Sequence, residues 1–186
     1  MIFKLKQKNL KKIIAFGASS SKQSINKKLA SYAASQINGC ESIILNLGDF
    51  EMPIYSIDKE EEKGIPKQAY EFKDFIKNAN GIIISFAEHN GSYTAAFKNI
   101  YDWISRIEKV VWNHNPLLLL STSPGERAAK SVLEIANARF SSESLLEIPV
   151  FSLPSFHQNF DENKGIIDRE LNTEFKKSLH MFEEQL

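Results

Sequence analysis

The chain of 186 residues holds a single cysteine, Cys40. One thiol can neither close an internal disulfide nor furnish a multi-cysteine metal site, so the reading is a cytoplasmic protein. Histidine is scarce as well. His89, His114, His157 and His180 are scattered and lack the spacing by which two imidazoles on one helix face share an ion, so no metal site is expected. Net charge is absent, with 23 basic residues against 23 acidic ones. No global field then draws a polyanion, and nucleic acid is not an expected partner. No segment reads as a membrane span. The N-terminal lysines Lys4, Lys6, Lys8, Lys11 and Lys12 interrupt the apolar residues around them. No small-residue cleavage site follows, so this stretch reads as a solvated tail leading into a strand instead of a secretory signal. Two glycine patterns are missing too. Without Gly-x-Gly-x-x-Gly or the Gly-Lys-Ser/Thr of a P-loop, a dinucleotide Rossmann site and an NTPase are both disfavoured.

What is present reads as one α/β domain over residues 1–186, since 42% hydrophobic and 25% charged residues are ordinary for a globular chain of this length. Short apolar runs at Lys12–Phe16, Ser42–Leu47, Ile82–Phe86, Leu117–Leu120 and Ile148–Phe151 predict five strands. Helical spacing fills the intervals over Ser24–Ile37, Pro66–Asn78, Thr94–Lys109 and Glu126–Phe140, and closes the chain over Asp168–Glu184. Phe50–Lys63, with Pro53 and the acidic cluster Glu60, Glu61 and Glu62, reads as an exposed connection.

Strands without polar alternation imply a sheet covered on both faces, hence parallel pairing. Five β-α units with right-handed crossovers form a doubly wound α/β/α sandwich, with strand order 2-1-3-4-5. Ligands of such sheets bind outside the carboxyl ends of the strands at the switch point, here between the first and third strands.

Three loops lie at that end. The first runs Gly17-Ala18-Ser19-Ser20-Ser21-Lys22-Gln23-Ser24-Ile25-Asn26 into a helix. Its hydroxyls, one cation and the unpaired N–H groups of a helix start suit a phosphate monoester, although Ser24 reads equally as an ordinary cap. The second runs Ala87-Glu88-His89-Asn90-Gly91. Asn90-Gly91 is a turn signal whose free backbone groups can meet the edge of a flat heterocycle, and an ordinary surface turn fits it as well. The third, Ser121 to Ala129, includes Ser123, Pro124 and Gly125. It can approach a ring from another side or simply lead into a helix.

Together the three segments resemble the NADPH-dependent FMN reductase family, flavodoxin-like reductases of flavins, quinones, azo dyes and chromate. The resemblance runs from about Lys12 to Phe160 and is sharpest at Glu88-His89-Asn90-Gly91-Ser92 followed by Lys98-Asn99 and Asp102-Trp103. It implies a flavodoxin-like fold and FMN as cofactor, with the phosphate on Ser19, Ser21, Ser24 and Asn26. Lys22 would be the candidate cation and Ile25 part of the cradle. Ala87, Glu88, His89, Asn90 and Gly91 would lie along the ring, with Ser123, Pro124 and Gly125 on the other side. Lys98, Asn99, Asp102 and Trp103 fall inside a helix, where packing or subunit contact is expected of them.

Three departures from the family pattern stand out. The first loop is one residue longer and lacks the usual arginine; His89 replaces a tyrosine; and Ala128-Ala129 replaces a common Gly-Gly, which should narrow the backbone's approach to the ring. The expected activity is transfer of hydride from NADPH or NADH to FMN and on to a small acceptor such as a quinone, an azo compound or free flavin. No side chain is required as catalytic acid or base. A flavodoxin-type electron carrier and a non-catalytic FMN-binding module are the alternatives. Tyr101, Trp103 and Ile104, with Val110-Val111-Trp112 behind them, give the helix Thr94–Lys109 more aromatic surface than one sheet face needs. Part of it is therefore expected between subunits of a homodimer or homotetramer.

Overall fold

The computed structural model describes residues 10–186. Lys4, Lys6 and Lys8 of the expected tail lie outside them, whereas Lys11 and Lys12 are the first residues of a strand. In chain order the elements are β1 (Lys11–Ala18), α1 (Ile25–Ser35), β2 (Cys40–Leu45), a 3-10 turn (Leu47–Phe50), α2 (Ile57–Lys63), α3 (Lys67–Lys77), β3 (Gly81–Phe86), β4 (Glu88–His89), β5 (Ser92–Tyr93) and α4 (Ala95–Ser105). There follow β6 (Leu117–Thr122), α5 (Lys130–Ser141), β7 (Val150–Leu153), α6 (Phe156–Asn159), β8 (Phe160–Asp161), β9 (Gly165–Ile166) and α7 (Arg169–Glu183).

Five strands pair in parallel in the order β2-β1-β3-β6-β7, the flavodoxin-like arrangement expected of the apolar runs. β4-β5 and β8-β9 are separate two-stranded antiparallel hairpins. Alternate residues of the central strands face opposite layers. Ile14, Phe16, Ile82, Ile84, Phe86, Leu117 and Leu119 meet α3, α4 and α5, whereas Ile13, Ala15, Ile83, Leu118 and Leu120 meet α1 and α7. The two layers differ in filling. Aromatic rings crowd the first, with Phe16, Phe72, Phe86, Phe97, Trp103 and Phe140 all buried. Alanines thin the second, where Ala30, Ala33 and Ala34 let α1 lie close on the sheet. Each buried large side chain contributes about 1.5–3 kcal/mol relative to exposure.

Four expectations need correcting. The segment after β2 is not merely an exposed connection: Leu47, Phe50 and Met52 are buried and residues 57–63 are helical. Asn99 ties this segment down, accepting from the Tyr55 N–H (2.9 Å) and donating to the Met52 and Pro53 carbonyls, and the Trp103 Nε1–H donates to the Pro53 carbonyl at 2.8 Å. The fifth helix starts at Lys130 instead of Glu126, because Ala128 and Ala129 both take left-handed backbone (φ 56° and 57°). Ser121 and Thr122 belong to β6 and are buried, so the third loop begins only at Ser123. Finally, Tyr101, Trp103 and Ile104 are covered within the single chain. They leave no free aromatic surface for a second subunit.

Candidate functional site

Hydrogen bonding at the carboxyl ends of the strands draws the first loop and β3 together. Asn26, in the first turn of α1, is buried, and three hydrogen bonds hold its amide. Its Nδ2 donates to the Thr122 carbonyl (3.0 Å), and its Oδ1 accepts from the Ser85 hydroxyl (2.7 Å) and the Thr122 N–H (3.0 Å). Asn26 is therefore the knot joining α1 to the ends of β3 and β6. These bonds use Oδ1 and one of the two Nδ2 protons, and the Asn26 backbone N–H stays among the donors at the helix start. Gly17 permits the same approach from below: a Cβ there would overlap the Lys27 backbone nitrogen. Thr94 completes the junction, capping α4 through the Phe97 N–H and donating to the Ala18 carbonyl (2.9 Å). Ser85, Thr94 and Thr122 were not singled out from sequence. Their partners lie 59 to 96 residues away, and no local pattern carries that signal.

The loop ahead of α1 is shaped by its own hydroxyls. Ser19 Oγ accepts from the Ser21 N–H, Ser21 Oγ from the Gln23 N–H and Ser24 Oγ from the Lys27 N–H (3.1 Å). Each oxygen is used as an acceptor, which leaves its O–H proton free to donate. The N–H groups of Ile25 and Asn26 make no hydrogen bond among the described residues, as the first donors of a helix must unless a ligand or cap takes them. No acidic residue occupies the first turn of α1. Lys22 is exposed at the loop's turn. Free hydroxyl protons, free N–H groups and the positive end of the helix dipole form a donor set suited to a phosphate monoester.

The second loop folds as a two-residue hairpin. Asn90 (φ 53°) and Gly91 (φ 76°) supply the positive φ angles of the turn between β4 and β5, and His89, Asn90 and Gly91 are exposed. Ala87 and Glu88 are half-buried. Glu88 points to the third loop, where its Oε2 accepts from the Val132 N–H in the first turn of α5 (3.1 Å). It thereby caps a helix that has no side-chain cap of its own. Behind the hairpin, burial holds the Tyr93 and Tyr101 phenols above their ordinary range, so both stay protonated.

In the third loop Pro124 and Gly125 are exposed and Ser123 half-buried. Its shape is pinned from the far side by Ser155 N–H to the Gly125 carbonyl and Phe156 N–H to the Ser123 carbonyl, both 3.0 Å. Ala128 and Ala129 are buried, and the Ala128 carbonyl accepts from the Ser121 and Ser152 hydroxyls. The Gly-Gly replacement thus puts two buried alanines in left-handed backbone. The pairings Ala18–Phe86 and Phe86–Ser121 set the three loops side by side along one rim. Among the described residues no cluster of His, Cys, Asp or Glu suited to a metal occurs, and no helix is long and apolar enough to cross a membrane.

Comparison with known proteins agrees with this geometry. A 2-hydroxy-1,4-benzoquinone reductase of a Burkholderia species is 30% identical over 155 residues, covering 82% of this chain and 81% of that protein. A quinone reductase of Escherichia coli is 29% identical over 93 residues, half of this chain but only 46% of the relative's length. Among solved structures, the flavoenzyme NAD(P)H:(acceptor) oxidoreductase of Paracoccus denitrificans superposes with a TM-score of 0.74 at 22% identity, over 94% of this chain and 96% of that one. The family model for NADPH-dependent FMN reductase matches residues 11–158, a span that takes in all three loops and the Asn26 knot between them. By that match, the chain belongs to the NADPH-dependent FMN reductase family.

Proposed function

We propose that the chain is an FMN-dependent NAD(P)H oxidoreductase acting on a small acceptor such as a quinone, an azo compound or free flavin. The observation that carries this reading is the unpaired donor set at the start of α1, beside the exposed Lys22 and with no acid in the helix's first turn. Ser19, Ser21, Ser24 and Lys22 would hold the phosphate of FMN together with the Ile25 and Asn26 N–H groups. Ala87 to Gly91 and Ser123 to Gly125 would flank its ring. Bound FMN supplies the hydride chemistry. The protein's part is to orient it and to leave one face open, which the exposed hairpin turn and third loop permit. The Asn26 knot keeps the phosphate loop at the end of β3, and Glu88 holds the third loop's helix against the hairpin.

The test is the visible absorption spectrum of the purified protein with FMN, before and after anaerobic NADPH. Stoichiometric FMN binding, bleaching of the flavin band and return of colour with a quinone are expected. Failure to bind FMN overturns the reading, and bound FMN that NADPH and NADH both leave oxidised leaves only a flavin-binding module. We also propose a cytoplasmic location and assembly as a homodimer or homotetramer. The buried α4 aromatics do not support assembly through that helix. A monomeric mass by light scattering at micromolar concentration would count against it.

A further inference from the structure

β7 is the last strand of the sheet, and among the described residues no strand pairs with its outer edge. The Leu119 N–H bonds the Pro149 carbonyl, so in this parallel pair residues 149, 151 and 153 turn their backbone groups toward β6, and Val150 and Ser152 turn theirs outward. The Ser178 hydroxyl of α7 donates to the Val150 carbonyl at 2.9 Å. The Val150 N–H and both backbone groups of Ser152 have no partner among the described residues. An edge left open in this way is a template for one more strand.

α5 and α7 stand on either side of that edge and enclose with it a groove of about 390 Å³. Its floor is apolar, made by Leu133, Phe151, Pro154 and Leu171 beside the exposed Val150. Its rim is acidic. Glu126, Glu134 and Glu174 line it against one cation, Lys130, and none of the four makes a salt bridge among the described residues. The groove thus carries a formal −2, three glutamates less one lysine.

The complementary pattern stands in the nine residues that precede Leu10, Met-Ile-Phe-Lys-Leu-Lys-Gln-Lys-Asn. Phe3 and Leu5 alternate with Lys4, Lys6 and Lys8, and no acid interrupts them. On an extended backbone that alternation puts the apolar pair on one face and the three lysines on the other. Reach decides which copy supplies the segment. A strand added outside β7 lies four places from β1, about 19 Å at ~4.8 Å per strand. Crossing that span uses about six residues at ~3.3 Å each, which leaves too few of the nine to lie along the edge.

We propose that the groove receives residues 1–8 of a second copy of this chain, added as a strand to β7 with Phe3 and Leu5 on the apolar floor and the lysines against the glutamates. The inference rests on the assembly proposed above and names the surface that makes it. Because each copy carries both the segment and the groove, exchange in both directions closes a two-fold dimer. Backbone pairing and the apolar floor supply the attraction, and the opposed charges set the choice of segment.

The experiment uses the full chain with FMN added, a segment variant Lys4→Glu/Lys6→Glu/Lys8→Glu and a groove variant Glu126→Lys/Glu134→Lys/Glu174→Lys. Light scattering at micromolar concentration should give a dimer for the parent protein, and the dimer Kd of each variant alone should rise at least about tenfold. An equimolar mixture of the two variants should dimerise again, because each segment then meets a groove of opposite charge. Backbone N–H exchange at Val150 and Ser152 should be about tenfold slower in the parent and in the mixture than in either variant alone, with exchange at Leu118 and Leu119 inside the sheet as the check on folding. A monomeric parent overturns the assembly and its surface together. A dimer that both variants retain, or a mixture that stays monomeric, overturns the groove and leaves assembly standing. Val150 and Ser152 protected in a monomer would place the segment on its own chain, which overturns exchange between copies.

Discussion

Among the helices that begin at the carboxyl edge of this sheet, α1 and α5 have first turns finished in opposite ways. α1 is capped by its own Ser24, carries no acid, and leaves the Ile25 and Asn26 N–H groups open. α5 follows two left-handed alanines, has no cap of its own, and receives the carboxylate of Glu88 from a loop 44 residues earlier. A helix start attracts anions through its dipole and free donors. At α5 that attraction is met by the protein's own carboxylate, while at α1 it remains open to a ligand. Of these two termini, therefore, only the first keeps free donors that an anion could take, and the second is a structural joint between the hairpin and the third loop.

Removing the Asn26 knot should disturb this contrast most. Asn26→Leu leaves the Ser85 hydroxyl and the Thr122 N–H unpaired, and a loss of about 3 kcal/mol is expected in urea unfolding, with FMN affinity falling in parallel. An FMN affinity unchanged in a folded variant would show that the phosphate loop does not depend on the knot. Glu88→Ala should cost about 2 kcal/mol, since it strips a charged cap from α5, and Glu88→Gln should restore part of that. If Glu88→Gln melts with the parent protein, charge plays no part in the α5 joint. Ser24→Ala should cost about 1 kcal/mol of stability. Because it also removes one donor hydroxyl, it should weaken FMN binding, whereas Glu88→Ala should act first on stability. Reversal of that order in calorimetry would erase the distinction between the two helix starts. The smallest effect is expected at Ala129→Gly. Relief of left-handed strain, about 1–2 kcal/mol, is offset by loss of a buried methyl worth about 0.8 kcal/mol, so the net change should stay below roughly 1 kcal/mol. A shift of several degrees in Tm would show that one of these two contributions had been misjudged.

Much of the architecture was legible because the signals were local. Ile82-Ile83-Ile84 cannot sit in water as a strand, so a two-sided sheet followed from it, and the helix stripe of Phe97, Ile100 and Ile104 placed α4 on that sheet. Asn90-Gly91 marked a turn because few residues tolerate positive φ. Boundaries failed where tertiary contacts overrode local preference. Ala128 and Ala129 are strong helix formers held left-handed, in part by the Ser121 and Ser152 hydroxyls on the Ala128 carbonyl. The segment after Phe50 reads as polar and exposed, yet Asn99 and Trp103 fasten it to α4.

The amino-acid order by itself determined the α/β alternation, the parallel sheet and the three loops at its carboxyl end, because periodicity and turn chemistry act over a few residues. Which groups in those loops remain free to bind was decided only in three dimensions. Asn26 carries the right chemistry for a phosphate, but its Oδ1 and one of its Nδ2 protons are taken by Thr122, 96 residues away, and by Ser85. A donor's availability depends on what else reaches it, and that is a property of long-range packing.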